Sequence, residues 1–312
     1  MKHFNKKTII ISVIILFVIA FALVAGRTVL RSGLFYEKGV HTPIRLLSGQ
    51  EQYSGETDSN ELDLIDSSGM TMNTRILTPD GFTRTKADDN SLLDYMRRME
   101  LLKDGSKVKL YNGKELDLKP AAVFAFDIGN QDLQQCADSI IRIYSEYLWS
   151  QGRTDEISFS LTNGLEVSYS DWKDGKRLLA LSNIAFMMKM TGKDDSYDCF
   201  AAYMDKVMNY AGTKSFAKEG TQIKLEDLKP GDMLLSDTHV VLVVDEAKNE
   251  KGEKCWLMAQ GYMPAQSFHI MTNPLHKDDP WYYETEMEGQ TIVKTIMNSF
   301  YDDDYYRWKV TF

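Results

Sequence analysis

Thr8 to Gly26 is a run of 19 residues, TIIISVIILFVIAFALVAG, without a single charge. As a helix it would be about 28 Å long, close to the ~30 Å hydrocarbon core of a bilayer. A core helix of this hydrophobicity at the extreme N-terminus would be unusual, so the run divides the chain into a membrane-directed end and the rest. Lys2, Lys6 and Lys7 precede it, and Arg27 and Arg31 follow. That bias favours a cytoplasmic N-terminus with the bulk of the chain outside the cytoplasm. Ala20, Ala22, Ala25 and Gly26 keep a cleaved signal peptide as the alternative, and both readings send the rest outward.

Residues 1–32 hold five basic residues and no acidic ones, while the whole chain has a formal net charge of -9. Removing those five charges leaves about -14 on the remainder, a surface that repels phosphates and argues against nucleic acid as a partner. Three cysteines, Cys136, Cys199 and Cys255, are too few for a disulfide scaffold, and an odd count leaves a thiol free. Outside the cytoplasm such a thiol is either buried or used.

The pattern divides the chain into a tip and anchor over 1–32 (helix 8–26), a linker or stalk over 33–75, and a globular domain over 76–312. The stretch Ser48 to Ser68 is rich in Ser, Gly, Glu, Asp and Gln. Further on, Asn90-Ser91 caps a helix over 92–102, and Val108–Tyr111 and Ala121–Phe126 read as strands. Asp132-Leu133-Gln134-Gln135 fits a capping box with Asp132 as the cap. The helix behind it carries Leu133, Cys136, Ile140, Tyr144 and Tyr147 on one stripe. Asn163-Gly164 turns a hairpin over 157–169, and 178–190 reads as either helix or strand. A helix over 197–211 and strands at 233–235, 239–245, 255–260, 268–271 and 305–312 complete an α+β class, a mainly antiparallel sheet with packed helices.

The chemistry-bearing segment runs from Asp198 to Ala247. It places Cys199 in the first turn of a helix capped by Ser196, where the helix dipole lowers a thiol pKa. A Pro230-Gly231-Asp232 turn follows, and then His239 opens an apolar strand. A thiol hydrolase needs such a nucleophile and base, with a third group to orient the ring. A symmetric hairpin about the 246–253 loop sets Gln260 opposite His239, on the same face of the ladder. Cys136, on an apolar stripe, reads as a buried inert thiol, and Cys255, alternating with Leu257 and Ala259, as core. His239, His269 and His276 lack short ligand spacing, and there is no phosphate-binding glycine loop, so neither metal nor cofactor is expected.

Several stretches resemble the bacterial family catalogued as domain of unknown function 4846. They are Gly81–Arg84, Asp132–Asp138 with Arg142 and Tyr147, Trp172–Arg177, Tyr210–Thr213, Gly231-Asp232, His239, Ala259–Gln266 and Pro280–Tyr282. The resemblance covers roughly residues 80 to 285 and implies an envelope-associated protein without an established activity. The order Asp198-Cys199, Pro230-Gly231-Asp232, His239-Val240 and Gln260 is also similar to NlpC-type cell-wall peptidases of the papain-like superfamily. That resemblance implies Cys199 as nucleophile, His239 as general base and Gln260 as orienter. Phe200 departs from the small residues usual after that cysteine. The pattern of the first family keeps cysteine at 136 rather than 199, which leaves three alternatives: Cys136 as nucleophile, a largely inactive family, or an unusual member.

Two functions follow as expectations. One is a membrane-anchored thiol hydrolase or amidase acting on cell-envelope peptide or amide bonds. The other is a non-catalytic domain whose papain-like cleft binds a peptide or glycan, with Gln260 and the candidate binding residues Gln135, Tyr262, Gln266 and Trp281 around the groove.

Overall fold

The computed structural model describes residues 41–48, 63–181, 184–290 and 292–312. The expected span 8–26 lies outside them, and among the described residues no helix is long and apolar enough to cross a membrane. In chain order the helices are α1 (Met72–Arg75), α2 (Leu92–Arg98), α3 (Cys136–Ser150), α4 (Tyr169–Lys173), α5 (Tyr197–Met208), α6 (Thr213–Glu219) and α7 (Glu284–Met287). The strands are β1 (Phe82–Arg84), β2 (Ala122–Val123), β3 (Ser158–Ser160), β4 (Glu166–Ser168), β5 (Lys176–Leu181), β6 (Ile184–Lys189), β7 (Thr221–Gln222) and β8 (Met233–Leu235). They continue as β9 (Val240–Asn249), β10 (Lys254–Gln260), β11 (His269–Ile270), β12 (Tyr282–Tyr283), β13 (Ile292–Lys294), β14 (Ser299–Tyr301) and β15 (Tyr305–Arg307).

The class is α+β, built on one antiparallel sheet in the order β2-β11-β10-β9-β8-β15-β7, with β1 added beside β9 and β12 beside β10. The long central pair explains itself by composition. β9 begins VVLVV and β10 reads KCWLMAQ, so both faces need cover. On one face Val240, Leu242, Val244, Leu257 and Ala259 share a core with Ile140 and Tyr144 of α3 and Phe200 and Tyr203 of α5. On the other, Val241, Val243, Trp256 and Met258 pack with Met287 of α7 and with Val293 and Phe300 of the β13–β14 hairpin. The 178–190 stretch is a separate hairpin, β5–β6.

Two expectations are revised. Part of the region read as a stalk belongs to the folded body: Ile44, Leu47 and Met72 are buried, and the Leu47 amide donates to the Arg98 carbonyl at 2.8 Å. His41 is clamped between Asp127 at 3.1 Å and Asp205 at 3.0 Å. These apolar residues are too sparse to show a period, so composition dominated the reading. The second revision concerns α3. It starts at Cys136, not after Asp132, with Gln135 as its cap residue. The Gln135 amide donates to the Asp138 carboxyl at 3.1 Å, and Asp132 instead accepts from the Ala265 amide at 2.7 Å.

Candidate active site at the tip of helix α3

The later start of α3 makes Cys136 its first residue, where backbone N–H groups have no intrahelical partner. The N–H groups of Val240, Ala137 and Cys136 itself point at the thiol. Burial nevertheless raises the thiol pKa, those donors opposing the rise and the neighbouring Asp138 adding to it. The side chain is only half-buried, whereas Cys199 and Cys255 are fully buried. Val240 turns its side chain to the α3 face, so His239, one residue earlier, points to the opposite face, where its ring lies 6.1 Å from Phe300.

His239 is fixed where β9 begins. Its amide donates to Ser236 Oγ at 3.2 Å, and its carbonyl accepts from the Ser236 amide at 2.9 Å. Its Nε2 lies 2.7 Å from Gln260 Oε1. The pair meets by a register other than the symmetric one. Leu257 faces Asp245, a bulge follows, and Ala259 faces Leu242. The tight turn at Asn249–Glu253 moves the ladder by three residues and the bulge returns one. The net shift is even, so His239 and Gln260 stay on one face as diagonal neighbours.

A third residue, His269 on β11, sets the tautomers. Its Nδ1 lies 3.0 Å from the Ser267 carbonyl and must donate to it, which leaves Nε2 as an acceptor. Gln260 Nε2 faces that nitrogen at 3.5 Å. The amide is thereby oriented with Oε1 toward His239, whose Nε2 must carry the proton. The Nδ1 of His239 is then an unprotonated nitrogen, with no hydrogen-bond partner among the described residues. Burial pushes both imidazoles down to about 4, so both are neutral near pH 7. The Tyr262 ring covers His239 at 4.8 Å between centroids.

The end of β10 is drawn against the same helix tip. A Cβ on Gly261 would meet Ser139 Oγ at 2.5 Å and the Gln135 carbonyl oxygen at 3.0 Å, so only glycine lets the strand pass this close. Asp132 also accepts from Gln135 Nε2 at 3.1 Å, tying the 262–266 loop to the turn before α3. Gln135 and Cys136 therefore border the end of β10 on the α3 face of the sheet, whereas His239, Gln260 and His269 form a cluster on the opposite face, where the His239 ring lies 6.1 Å from Phe300.

The remaining sequence candidates lie elsewhere. Cys199 does sit in the first turn of α5, with its amide on Ser196 Oγ at 3.2 Å. Its carbonyl accepts from Trp172 Nε1 at 3.1 Å, and its sulfur is 4.0 Å from Arg177 Nη2. Neither residue hydrogen-bonds or stacks with His239 or Gln260. Trp281 is fully enclosed, with Nε1 on the Leu77 carbonyl at 2.9 Å, and so forms no groove wall. Gln266 is 1% exposed, and its Nε2 has no partner among the described residues. The sequence offers His269 only as a metal-ligand candidate, and its position one strand beyond Gln260 is invisible without the sheet order.

Asp138, in the first turn of α3, is 6% exposed, and its Oδ1 has no partner among the described residues. Burial pushes its pKa up to about 8. The folded chain thus keeps a proton that the unfolded chain releases near pH 3.8, so stability falls as pH rises between these values. His239 and His269 act with the opposite sign, but only below their unfolded value of 6.5. Between about pH 6.5 and 8 the parent chain should lose roughly 1–2 kcal/mol in urea unfolding. Asp138→Asn should flatten that slope, and an equal slope in both chains would count against a protonated Asp138.

Fold and site together define an α+β domain with a thiol at a helix tip and, on the other face of the sheet, an amide-braced imidazole. The family model described as Domain of unknown function (4846) matches residues 72–307, and the chain belongs to that family. Neither the curated proteins nor the solved structures contain a match.

Proposed function

We propose that the chain is a membrane-anchored extracytoplasmic thiol hydrolase or amidase with a papain-like, NlpC-type arrangement, in which Cys136 rather than Cys199 is the nucleophile. What supports this reading is the partly exposed thiol at the α3 tip, with the backbone N–H of Val240, the residue after His239, among its donors. Cys136 attacks an amide carbonyl while the thiol proton passes to Nδ1 of His239 through solvent at the open start of β9. His239 then returns that proton to the departing amine, and water cleaves the thioester. The first-turn N–H groups of Cys136 and Ala137 supply donors where negative charge develops. Gln260 holds the ring with Nδ1 free, and His269 keeps the Gln260 amide from flipping. The site's place on the extracytoplasmic side rests on the 8–26 run, and the substrate class, envelope peptide or amide bonds, follows from that address.

A raised thiol pKa and a depressed imidazole pKa describe a neutral resting pair. Proton transfer therefore accompanies attack rather than preceding it. The same neutrality favours the second reading, a peptide- or glycan-binding cleft without turnover. Alkylation by iodoacetamide, mapped by peptide mass, tests the assignment. Cys136 should react first, with Cys199 and Cys255 protected until unfolding. His239→Ala should slow Cys136 about 10²-fold, and His269→Leu should slow it less. Equal reaction of all three thiols would overturn it.

A further inference from the structure

A pocket of about 260 Å³ opens between the turn at 224–226, α7 with the two residues after it, and the start of β15. It lies on the sheet face away from α3, since Met287 and Tyr305 in its walls belong to that face's core. Four carboxylates border it, Glu226, Glu284, Glu288 and Asp302, against one ammonium group, Lys224. Glu288 and Asp302 have no hydrogen-bonded or ionic side-chain partner among the described residues. Glu284 uses only Oε2, which accepts from the Lys254 amide at 3.0 Å. The Lys224–Glu226 pair, at 3.3 Å, is exposed on both sides and therefore weak. Lys254 is engaged elsewhere, its Nζ donating to the Glu226 carbonyl at 2.7 Å and lying over the Trp256 ring.

The tyrosine in this pocket points to a ligand. Tyr305 is 1% exposed, and its hydroxyl has no hydrogen-bond partner among the described residues. Burial, with the charges of Asp302 and Asp304 adding, pushes its pKa up to about 12, so the hydroxyl keeps its proton. Asp302 acts on that hydroxyl and also borders the pocket, so the hydroxyl is aimed at the acidic wall. A buried hydroxyl without a partner is costly, and a ligand that brings a donor to its lone pairs relieves the cost. Leu225 and Met287 add apolar surface beside the carboxylates. Among the described residues no three His, Cys, Asp or Glu side chains are grouped for a metal ion. Spread carboxylates beside an apolar wall suit an ammonium group carried on an alkyl chain.

We propose that this pocket binds a primary alkylammonium group, as on a lysine side chain or a diamine. The ammonium meets Asp302 and Glu288, the Tyr305 hydroxyl accepts one of its N–H bonds, and the alkyl chain lies against Leu225 and Met287. The site is separate from the α3 tip. Lys254 beside it opens β10 and Gln260 closes that strand, roughly 20 Å away. It stands whether or not the thiol is catalytic.

Isothermal titration of the full chain in detergent micelles at low salt tests this, with n-pentylamine as the probe. Saturable binding is expected, with n-pentanol, uncharged and of the same length, inert. Nα-acetyl-lysine methylamide and cadaverine then distinguish a peptide side chain from a free diamine, the tighter of the two naming the source. Asp302→Asn and Tyr305→Phe should each weaken n-pentylamine about tenfold. Tyr305→Phe keeps the ring and should also raise the urea midpoint of the unliganded chain, because the hydroxyl it removes has no partner. Equal binding of the amine and the alcohol overturns the proposal. So does a Tyr305→Phe chain that is less stable than the parent and binds the amine unchanged. Calcium that displaces the amine, and whose binding is lost in Asp302→Asn, assigns the pocket to a metal ion and overturns it as well.

Discussion

Cys136→Ser is expected to remove amide hydrolysis of purified cell-wall peptide fragments by at least ~10³-fold, while Cys199→Ala leaves the rate within about twofold. The substitution changes one atom at the first residue of α3 and keeps the cap made by Asp138, so the fold should survive. Serine is the informative choice because a hydroxyl is far less acidic than a thiol, and His239, depressed to about 4, is too weak a base to activate it. Cys199→Ala, by contrast, trims a core residue packed near Trp172 and Arg177. It should cost some stability and no chemistry. Loss of activity from Cys199→Ala in a well-folded protein, with Cys136→Ser active, would reverse the assignment.

Asp245→Ala is expected to destabilise the domain by about 3–5 kcal/mol, the largest single effect on folding among the residues discussed. The carboxylate is fully buried and is held by Arg97 at 2.6 and 2.8 Å and by Arg84 at 2.7 Å. Arg97 is itself buried. Deleting the anion leaves a guanidinium enclosed without its counter-charge, which is costlier than losing the attraction alone. The position also matters for the site. Asp245 faces Leu257 at the step where the β9–β10 register changes, and that change keeps His239 and Gln260 on one face. Urea unfolding of the parent and variant measures the effect, and a difference below about 1 kcal/mol would mean that the ion pairs are dispensable.

What the sequence disclosed and what it hid can be traced to particular residues. The β9–β10 hairpin was readable because its apolar runs are long and its turn is polar. The His239–Gln260 pair was reachable because an even error in register leaves faces unchanged. Had the turn been shorter by one residue, the same arithmetic would have failed. The nucleophile was obscured by one cap. Asp132 followed three residues later by Gln135 imitates a capping box, and starting the helix there moves Cys136 from the tip into an apolar stripe. The true cap, the Asp138 carboxyl on the Gln135 amide, lies inside the helix and carries no such signature. Trp281 looked like a groove aromatic because burial is not written in a single residue type. The packing of 41–48 depends on partners about 50 to 160 residues away, such as Arg98 and Asp205, which no local pattern reveals.

If His239, braced by Gln260, accepts the Cys136 proton, the reactivity of the thiol follows the protonation of the imidazole. The rate of Cys136 alkylation across pH 3 to 9, in the parent chain and in His239→Ala, tests it most directly. A plateau that falls away only near pH 4 in the parent, against a roughly tenfold decline per pH unit below the thiol pKa in the variant, is the predicted result. Superimposable profiles in the two chains would contradict it.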